Sequence, residues 1–429
     1  MTLPNHKLLI QAYKYPPVLT PASLRYYYLS KFLSAYFPTI HVQTSAQSSN
    51  YPIDPKLVLP NIVLNQIPTR DIRSFYSRRS KNSKYPSLRK NKSIVYHFLI
   101  KLYHSFPIVF FFGDGGRTYI QASIQAASSL IEKEGITHLI SSYRPWADHI
   151  IAYRLKKRFP HLVWIADFRD LPVDPVRRDV WWPRLQRWFQ RRLLRRADIV
   201  TTVSDGLARH FQRDHPQVVV VRNGLAQLPN GFLTAPAAAH FTITYTGSLY
   251  PQLQSAAPLL SLLRELINEA ELNPAHLELH YAGKDGATWQ SWASAHGLGY
   301  LSHDHGMVPL AEAQALQRNS QLNLLLSWSA DNYGGIMTAK LGSYLTAGRP
   351  IVTLLQSPPD PELTAAVEAT GAGFVYPSSD PDSAARLRQF VLDAYRTWQF
   401  SGALPWRIQP DKLKPYTWEA QVDKLVAAL

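Results

Sequence analysis

The sequence predicts an α/β protein of two domains, each a Rossmann-like open parallel sheet, facing each other across a cleft. Three observations carry that expectation. Apolar runs of strand length alternate with helical patterns through both halves of the chain. A stretch rich in Gly, Pro and Ala separates the halves. At 429 residues the chain is also too long for one core, so two domains of roughly 200 residues each are expected.

In the first half the expected strands are Lys7 to Tyr13, His41 to Thr44, His138 to Ser142, Leu162 to Phe168, Ile199 to Val203 and Val218 to Arg222. The second half offers Phe241 to Tyr245, Leu277 to Ala282, Leu322 to Ser327, Ile351 to Leu355 and Gly373 to Tyr376. Domains are expected at 1–223 and 241–410, joined by a linker at 224–240, with 411–429 as a closing segment. The Ser-, Asn- and Lys-rich stretch Ser74 to Ser93 reads as a mobile loop, and no repeat of solenoid period is visible.

Composition narrows the class. A hydrophobic fraction of 46% fits a globular protein, and no run approaches the ~20 apolar residues that span a bilayer. Met1 to Lys14 lacks signal-peptide architecture, so the expected location is cytoplasmic, or peripheral on the inner face of the cytoplasmic membrane. With no cysteine there are no disulfides and no thiolate metal sites. The net charge of +16 is unevenly placed: residues 1–223 hold 34 Lys/Arg against 13 Asp/Glu, residues 224–429 hold 12 against 17. Two stretches supply most of the excess, Arg70 to His104 and the arginine-tryptophan run Val176 to Asp198.

Open parallel sheets bind ligands outside the carboxyl ends of their strands, so the loops after strands are the candidate positions. The most informative runs from Leu322 to Pro350, LNLLLSWSADNYGGIMTAKLGSYLTAGRP. Gly334 and Gly335 let backbone approach an anion closely, a helix beginning near Ile336, Met337 and Thr338 offers free N–H groups, and Lys340 adds a point charge. An ordinary strand-loop-helix with a solvated lysine is the alternative. Neighbouring loops contribute Gly247 and Ser248, and Gly306, Met307 and Val308.

Three more loops lie in the first half. Arg25 sits in the first turns of a helix after a proline-fixed loop, where it could hold an anion or remain a surface arginine. Arg144, Trp146 and His149 surround a helix start; a neutral imidazole there suits a hydroxyl partner, and a buried structural histidine is the alternative. Asp167, Arg169 and Asp170 cluster after a buried strand, most simply as an internal ion-pair network. No P-loop, no GxGxxG and no histidine pair at metal spacing is present, and His303-Asp304-His305 alone makes a weak metal argument.

Taken in order, YPPVLTPASLRYYYLSKFL, SSYRPWADHIIA, WIADFRDLPVDP, RRLLRRADIVTTVSDGL, VVVVRNG, FTITYTGSLY and the Leu322 stretch resemble the retaining GT-B glycosyltransferases of glycosyltransferase family 4, in its bacterial surface-polysaccharide branch. The resemblance spans nearly the whole chain, and PYTWEAQVDKLVAAL looks like the helix that crosses back to the N-terminal domain in that fold. It implies transfer of a sugar, with retained configuration, from a nucleotide-diphosphate donor on the C-terminal domain to a glycan or lipid-linked acceptor on the N-terminal one. It also implies no metal or other cofactor.

Carried over to this chain, His149, Asp170 and Lys340 would serve catalysis. Gly247, Ser248, Gly306 to Val308, Gly334 to Thr338, Lys340 and Ser343 would bind the donor, and Arg25, Arg144, Trp146 and Arg169 the acceptor. Two features depart from the family. Gly335 and Ser343 stand where it commonly has glutamates, and YTGSLYPQLQSAAP lacks the usual basic residues. A binding protein without turnover is therefore one alternative. For the basic half, an anionic membrane surface is the favoured partner and nucleic acid the weaker one.

Overall fold

The computed structural model describes residues 6–46, 53–69, 101–102, 105–109, 115–174, 180–228, 233–234, 238–329, 339–356, 358–406 and 408–429. The chain forms two compact units, one of Met1–Arg222 with Gln421–Leu429, the other of Asn223–Ala420. Ser74 to Ser93 lies outside the described residues, as does most of the basic stretch before His104.

The first unit is built on β1 (Lys7–Gln11), β2 (Thr39–Ser45), β3 (Ile62–Ile67), β4 (His138–Tyr143), β5 (Val163–Phe168), β6 (Ile199–Thr202) and β7 (Val218–Val220). All pair in parallel, in the order β3-β2-β1-β4-β5-β6-β7. The central strands are buried on both faces, as Leu8, Leu9 and Ile10 show, because helices cover a parallel sheet from both sides. β3 was not expected from the sequence. Its IVLNQI is an edge strand with Val63 and Leu64 exposed, so it carries no buried apolar signature.

The second unit contains a short pair, β8 (Leu233–Thr234), with the main strands β9 (Phe241–Thr246), β10 (Leu277–Ala282), β11 (Ser302–Asp304), β12 (Leu322–Trp328), β13 (Ile351–Gln356) and β14 (Gly373–Pro377), and finally β15 (Pro405–Trp406). The main sheet is parallel, ordered β11-β10-β9-β12-β13-β14, while β8 and β15 pair antiparallel. Leu260, Leu279, Leu324 and Tyr395 belong to one core cluster and Leu325, Tyr344, Leu355 and Val367 to a second. β11 escaped the sequence reading because three polar residues make no apolar run.

Both strand orders reverse once, between β1 and β4 in the first unit and between β9 and β12 in the second. Adjacent loops there leave the sheet in opposite directions, which opens a crevice at the carboxyl ends.

Candidate functional site

In the second unit the loop after β9 begins with Gly247, whose φ of +113° only glycine adopts readily. A methyl group there would lie 2.5 Å from Cε of Lys340, so the missing side chain is what admits the lysine. Lys340 stands at the start of the helix Ala339–Ala347. Its Nζ donates to the Ser248 carbonyl at 3.0 Å and to the Tyr245 hydroxyl, and lies 4.2 Å from the centre of the Tyr245 ring. Desolvation pulls the ammonium down to about pKa 7, against a smaller opposing effect of Asp285. Among the described residues no carboxylate forms an ion pair with it.

Neighbouring loops are tied to the same edge. The Gly247 carbonyl accepts from the Tyr281 hydroxyl at 3.0 Å, and the Gly283 N–H donates to the Gly306 carbonyl at 2.8 Å. Gly306 takes φ +64°, Met307 is exposed and Val308 half-buried. The expected donor loops at Gly247, Ser248 and Gly306 to Val308 therefore meet at one sheet edge together with Lys340. Ser343 is half-buried and its hydroxyl is already committed, donating to Gln317 Oε1 at 2.6 Å, while Gln317 Nε2 reaches Thr246 Oγ1 at 2.7 Å. Gly334, Gly335, Ile336, Met337 and Thr338 lie outside the described residues.

In the first unit the helix Pro21–Leu33 is started by a capping box in which Thr20 and Ser23 bond each other's N–H groups. That entry directs Arg25 inward, which corrects the expectation of an arginine free to hold a ligand. Arg25 is 1% exposed and grips Asp167 with Nε at 2.9 Å and Nη2 at 2.7 Å. Tyr26 and Thr201 donate to the same carboxylate at 2.7 and 2.8 Å. Burial alone would raise Asp167, yet the Arg25 charge and these donors hold it below its ordinary value. Arg25, not Arg169, is thus the Asp167 partner; Arg169 donates through Nε to the Tyr143 carbonyl at 3.2 Å.

The helix Trp146–Arg158 starts at the switch point and buries its first turn. Trp146 is 3% exposed, so it forms wall and not open surface, a second correction to the expected acceptor contacts. Its indole N–H finds no partner among the described residues. Arg144 is half-buried with its guanidinium 5.7 Å from the Tyr143 ring, and Asp170 is half-buried beyond β5.

His149 is fully buried, 4.5 Å from Phe168 ring to ring, and burial lowers it to about pKa 3, so it is neutral. Trp164 donates to Ser141 Oγ at 2.8 Å, and Ser141 can donate its own hydrogen to His149 Nδ1 at 2.7 Å. In that tautomer the ring hydrogen is on Nε2, an atom with no partner among the described residues.

Residues 103–224 match the family described as Glycosyl transferase 4-like domain. No curated protein sequence matches the chain. Among solved structures it is similar to sucrose-phosphate synthase from Thermosynechococcus elongatus, at 13% identity over 98% of both chains with a TM-score of 0.58. It is similar also to the lipopolysaccharide outer core galactosyltransferase WaaB in its apo form, at 10% identity over 99% of both chains with a TM-score of 0.57. A third is the pneumococcal O-GlcNAc transferase GtfA in complex with UDP and GlcNAc, at 9% identity over 98% of both chains and a TM-score of 0.54. At such identities the likeness is one of fold, and that fold is GT-B.

Within the matched residues the sequence reading missed Asp148. It is fully buried and accepts from Tyr13 N at 2.8 Å, Gln11 Nε2 at 2.9 Å and Tyr119 Oη at 3.2 Å. The bond to Tyr13 fixes the loop after β1 onto the helix after β4, across the switch point. Burial nevertheless pushes Asp148 up to about pKa 7, outweighing the three donors. Gln11 on a central strand was the available signal, since a buried amide requires polar partners.

Proposed function

We propose that this protein is a retaining glycosyltransferase that moves a sugar from a nucleotide-diphosphate donor to a glycan or lipid-linked acceptor in cell-surface polysaccharide synthesis. The observation that carries the reading is Lys340. A desolvated ammonium seated on Gly247 at the switch point of the second sheet, whose hydrogen-bond partners among the described residues are dipolar, is matched to an arriving anion. A diphosphate would restore its charge, and negative charge growing on the departing diphosphate would be stabilised more than the donor's ground state. That chemistry requires no metal at the leaving group. Ser248 and the loop Gly306 to Val308 would flank the nucleotide, and Gly334 to Thr338 would supply the N–H groups.

In the first unit Asp170, Arg144 and Arg169 would serve the sugar and acceptor side, while His149, fully buried, would donate from Nε2–H to a sugar hydroxyl only after the side chains covering that atom move. Membrane docking is supported by the helix Pro183–Leu194, which exposes Leu185 and Trp188 alongside Arg184, Arg187, Arg191 and Arg192, and by exposed Trp181 and Trp182 just before it. No helix among the described residues is long and apolar enough to cross a membrane.

Ser343 favours the second reading, a GT-B protein that binds without turnover, because its hydroxyl is bonded to Gln317 where the family commonly offers a carboxylate to the donor. A thermal-shift panel of nucleotide sugars and nucleoside diphosphates tests both. A ligand at 100 times its dissociation constant stabilises by ~2.7 kcal/mol. A shift followed by sugar transfer or slow donor hydrolysis supports the enzyme, a shift without turnover supports the binder, and no shift with any compound ends both readings.

A further inference from the structure

The strand β10 reads LELHYA, and its burial alternates: Leu277, Leu279 and Tyr281 enter the core while Glu278 and His280 stay half-buried on the other face. A parallel strand buried on one face only is unusual, because helices normally cover both. What occupies the open face is a concentration of imidazole. β11 pairs in parallel with His303 directly opposite His280, and His305 follows on the same side. His240, immediately before β9, reaches the same carboxylate. Three of the chain's 15 histidines, His240, His280 and His303, thus converge on Glu278, and His305 adjoins His280.

The distances bring these groups within reach of one ion. His280 Nε2 is 2.9 Å from Glu278 Oε2, His240 Nδ1 is 3.2 Å from Oε1, and His303 Nε2 is 3.9 Å from Oε1. One ligand atom each from Glu278, His280 and His303 lie within 4.8 Å of one another. Around a tetrahedral zinc with bonds near 2.1 Å, ligand atoms are about 3.4 Å apart, so a modest rotation of exposed His303 closes the set. The second nitrogen of His280 is also provided for: Nδ1 is 3.1 Å from His305 Nε2. One tautomer of His280 bonds Nε2–H to Glu278; in the other, Nδ1–H donates to His305 and the Nε2 lone pair beside the Glu278 carboxylate is available to a cation. A metal-bound imidazole ordinarily makes that outward bond.

We propose that Glu278, His280 and His303 form a site for a divalent transition-metal cation of the zinc class, with His240 as the nearest fourth ligand. Imidazole and carboxylate suit zinc, cobalt or nickel better than magnesium or calcium. The ion would cross-link β10 to β11, an edge strand paired over only three residues, and so brace the strand that leads into Gly306. This role is structural and stands independently of the donor reading, since no residue of the set belongs to the Lys340 seat.

The test uses the full chain without a histidine tag, stripped by chelator. Calorimetric titration with Zn²⁺ should give one site per chain, and Co²⁺ should give the visible absorption of a tetrahedral site. His280→Ala combined with His303→Ala should lower Zn²⁺ affinity at least 100-fold and abolish the cobalt spectrum, whereas His161→Ala, on the first unit, should change neither. Glu278→Gln, which keeps the side-chain shape, should weaken binding about 10-fold, and circular dichroism checks that each variant is folded. Absence of a stoichiometric site, or binding that survives the double substitution, overturns the proposal.

Discussion

Arg25 and Lys340 are both cations withdrawn from water near the carboxyl edge of a parallel sheet, one in each unit, yet their surroundings treat charge in opposite ways. Arg25 has a carboxylate held bidentately at 2.7 and 2.9 Å, itself saturated by Tyr26 and Thr201. Lys340 has a carbonyl, a phenol and an aromatic face. A guanidinium stays charged in such a place and must be neutralised by a fixed partner, whereas an ammonium can give up its proton. The first arrangement can only be architecture, because no anion can compete with Asp167. The second leaves charge to be completed by something that arrives.

The largest expected effect breaks the architectural member. Arg25→Met should destabilise the first unit by about 3–5 kcal/mol, since Asp167 would remain buried without its counter-charge. Adding Asp167→Asn should recover part of that loss. Denaturant midpoints measure both, and a loss below 1 kcal/mol for Arg25→Met would place Arg25 among dispensable residues and erase the contrast.

Lys340→Met should behave the other way, leaving stability unchanged or raised while weakening nucleoside diphosphate binding by roughly 10- to 100-fold, the range of one or two hydrogen bonds to a charged group. Nucleoside affinity should hold. With a pKa of about 7, Lys340 is mostly neutral at pH 8 in the free protein, with Tyr245 against it and Asp285 acting on its charge among the described residues. A bound diphosphate raises that pKa, so binding at pH 8 should take up nearly one proton, falling towards none below pH 6 where the amine is already charged. Calorimetry in two buffers of different ionisation enthalpy reads this directly. No proton uptake at pH 8 would mean that the diphosphate does not meet Lys340.

Asp148 and His149 sharpen the comparison inside the first unit, because these adjacent groups are perturbed without any ion pair. Asp148 is raised from 3.8 to about 7, so the folded state holds its proton longer than the unfolded chain and stability falls as pH rises from about 4 to 7. His149 is lowered from 6.5 to about 3, so the unfolded chain binds the extra proton and stability rises across most of the same window. The two slopes oppose each other at up to 1.36 kcal/mol per pH unit each. Asp148→Asn should therefore make stability climb more steeply from pH 4.5 to 6.5, and His149→Phe should make it decline. Parallel profiles for wild type and both variants would show that neither group is perturbed as described.

What the sequence disclosed follows the same physics. Central strands such as β1, β5 and β12 were legible because burial on both faces writes a continuous apolar run. β3 and β11 were not, since an edge strand need bury little. The loops around Gly247, Gly306 and Lys340 could be grouped because fold topology brings the ends of particular strands together. Arg25 could not be separated from Lys340, because which cation meets a carboxylate depends on a partner 142 residues away. His280 and His303 meet through strand register, which neither residue's local sequence specifies.

The smallest effect per residue belongs to cations that never left water. Arg184, Arg187 and Arg195 on or beside the helix Pro183–Leu194 are exposed, while Arg191 already bonds Asp214 at 2.7 Å. If this face docks on an anionic bilayer, each free arginine contributes roughly 1 kcal/mol near the surface, reduced as salt shortens the screening length. Exposed Trp181, Trp182 and Trp188 would add interfacial contact that salt does not weaken. Vesicle flotation should therefore show strong binding to anionic vesicles at low salt and weaker binding to neutral ones. Arg184→Glu, Arg187→Glu and Arg195→Glu together should abolish the salt-sensitive part, while Arg191→Glu alone should act mainly through its lost bond to Asp214. If the triple variant floats like the wild type, or the protein instead holds DNA tightly at physiological salt, the basic face serves another partner and the membrane assignment falls.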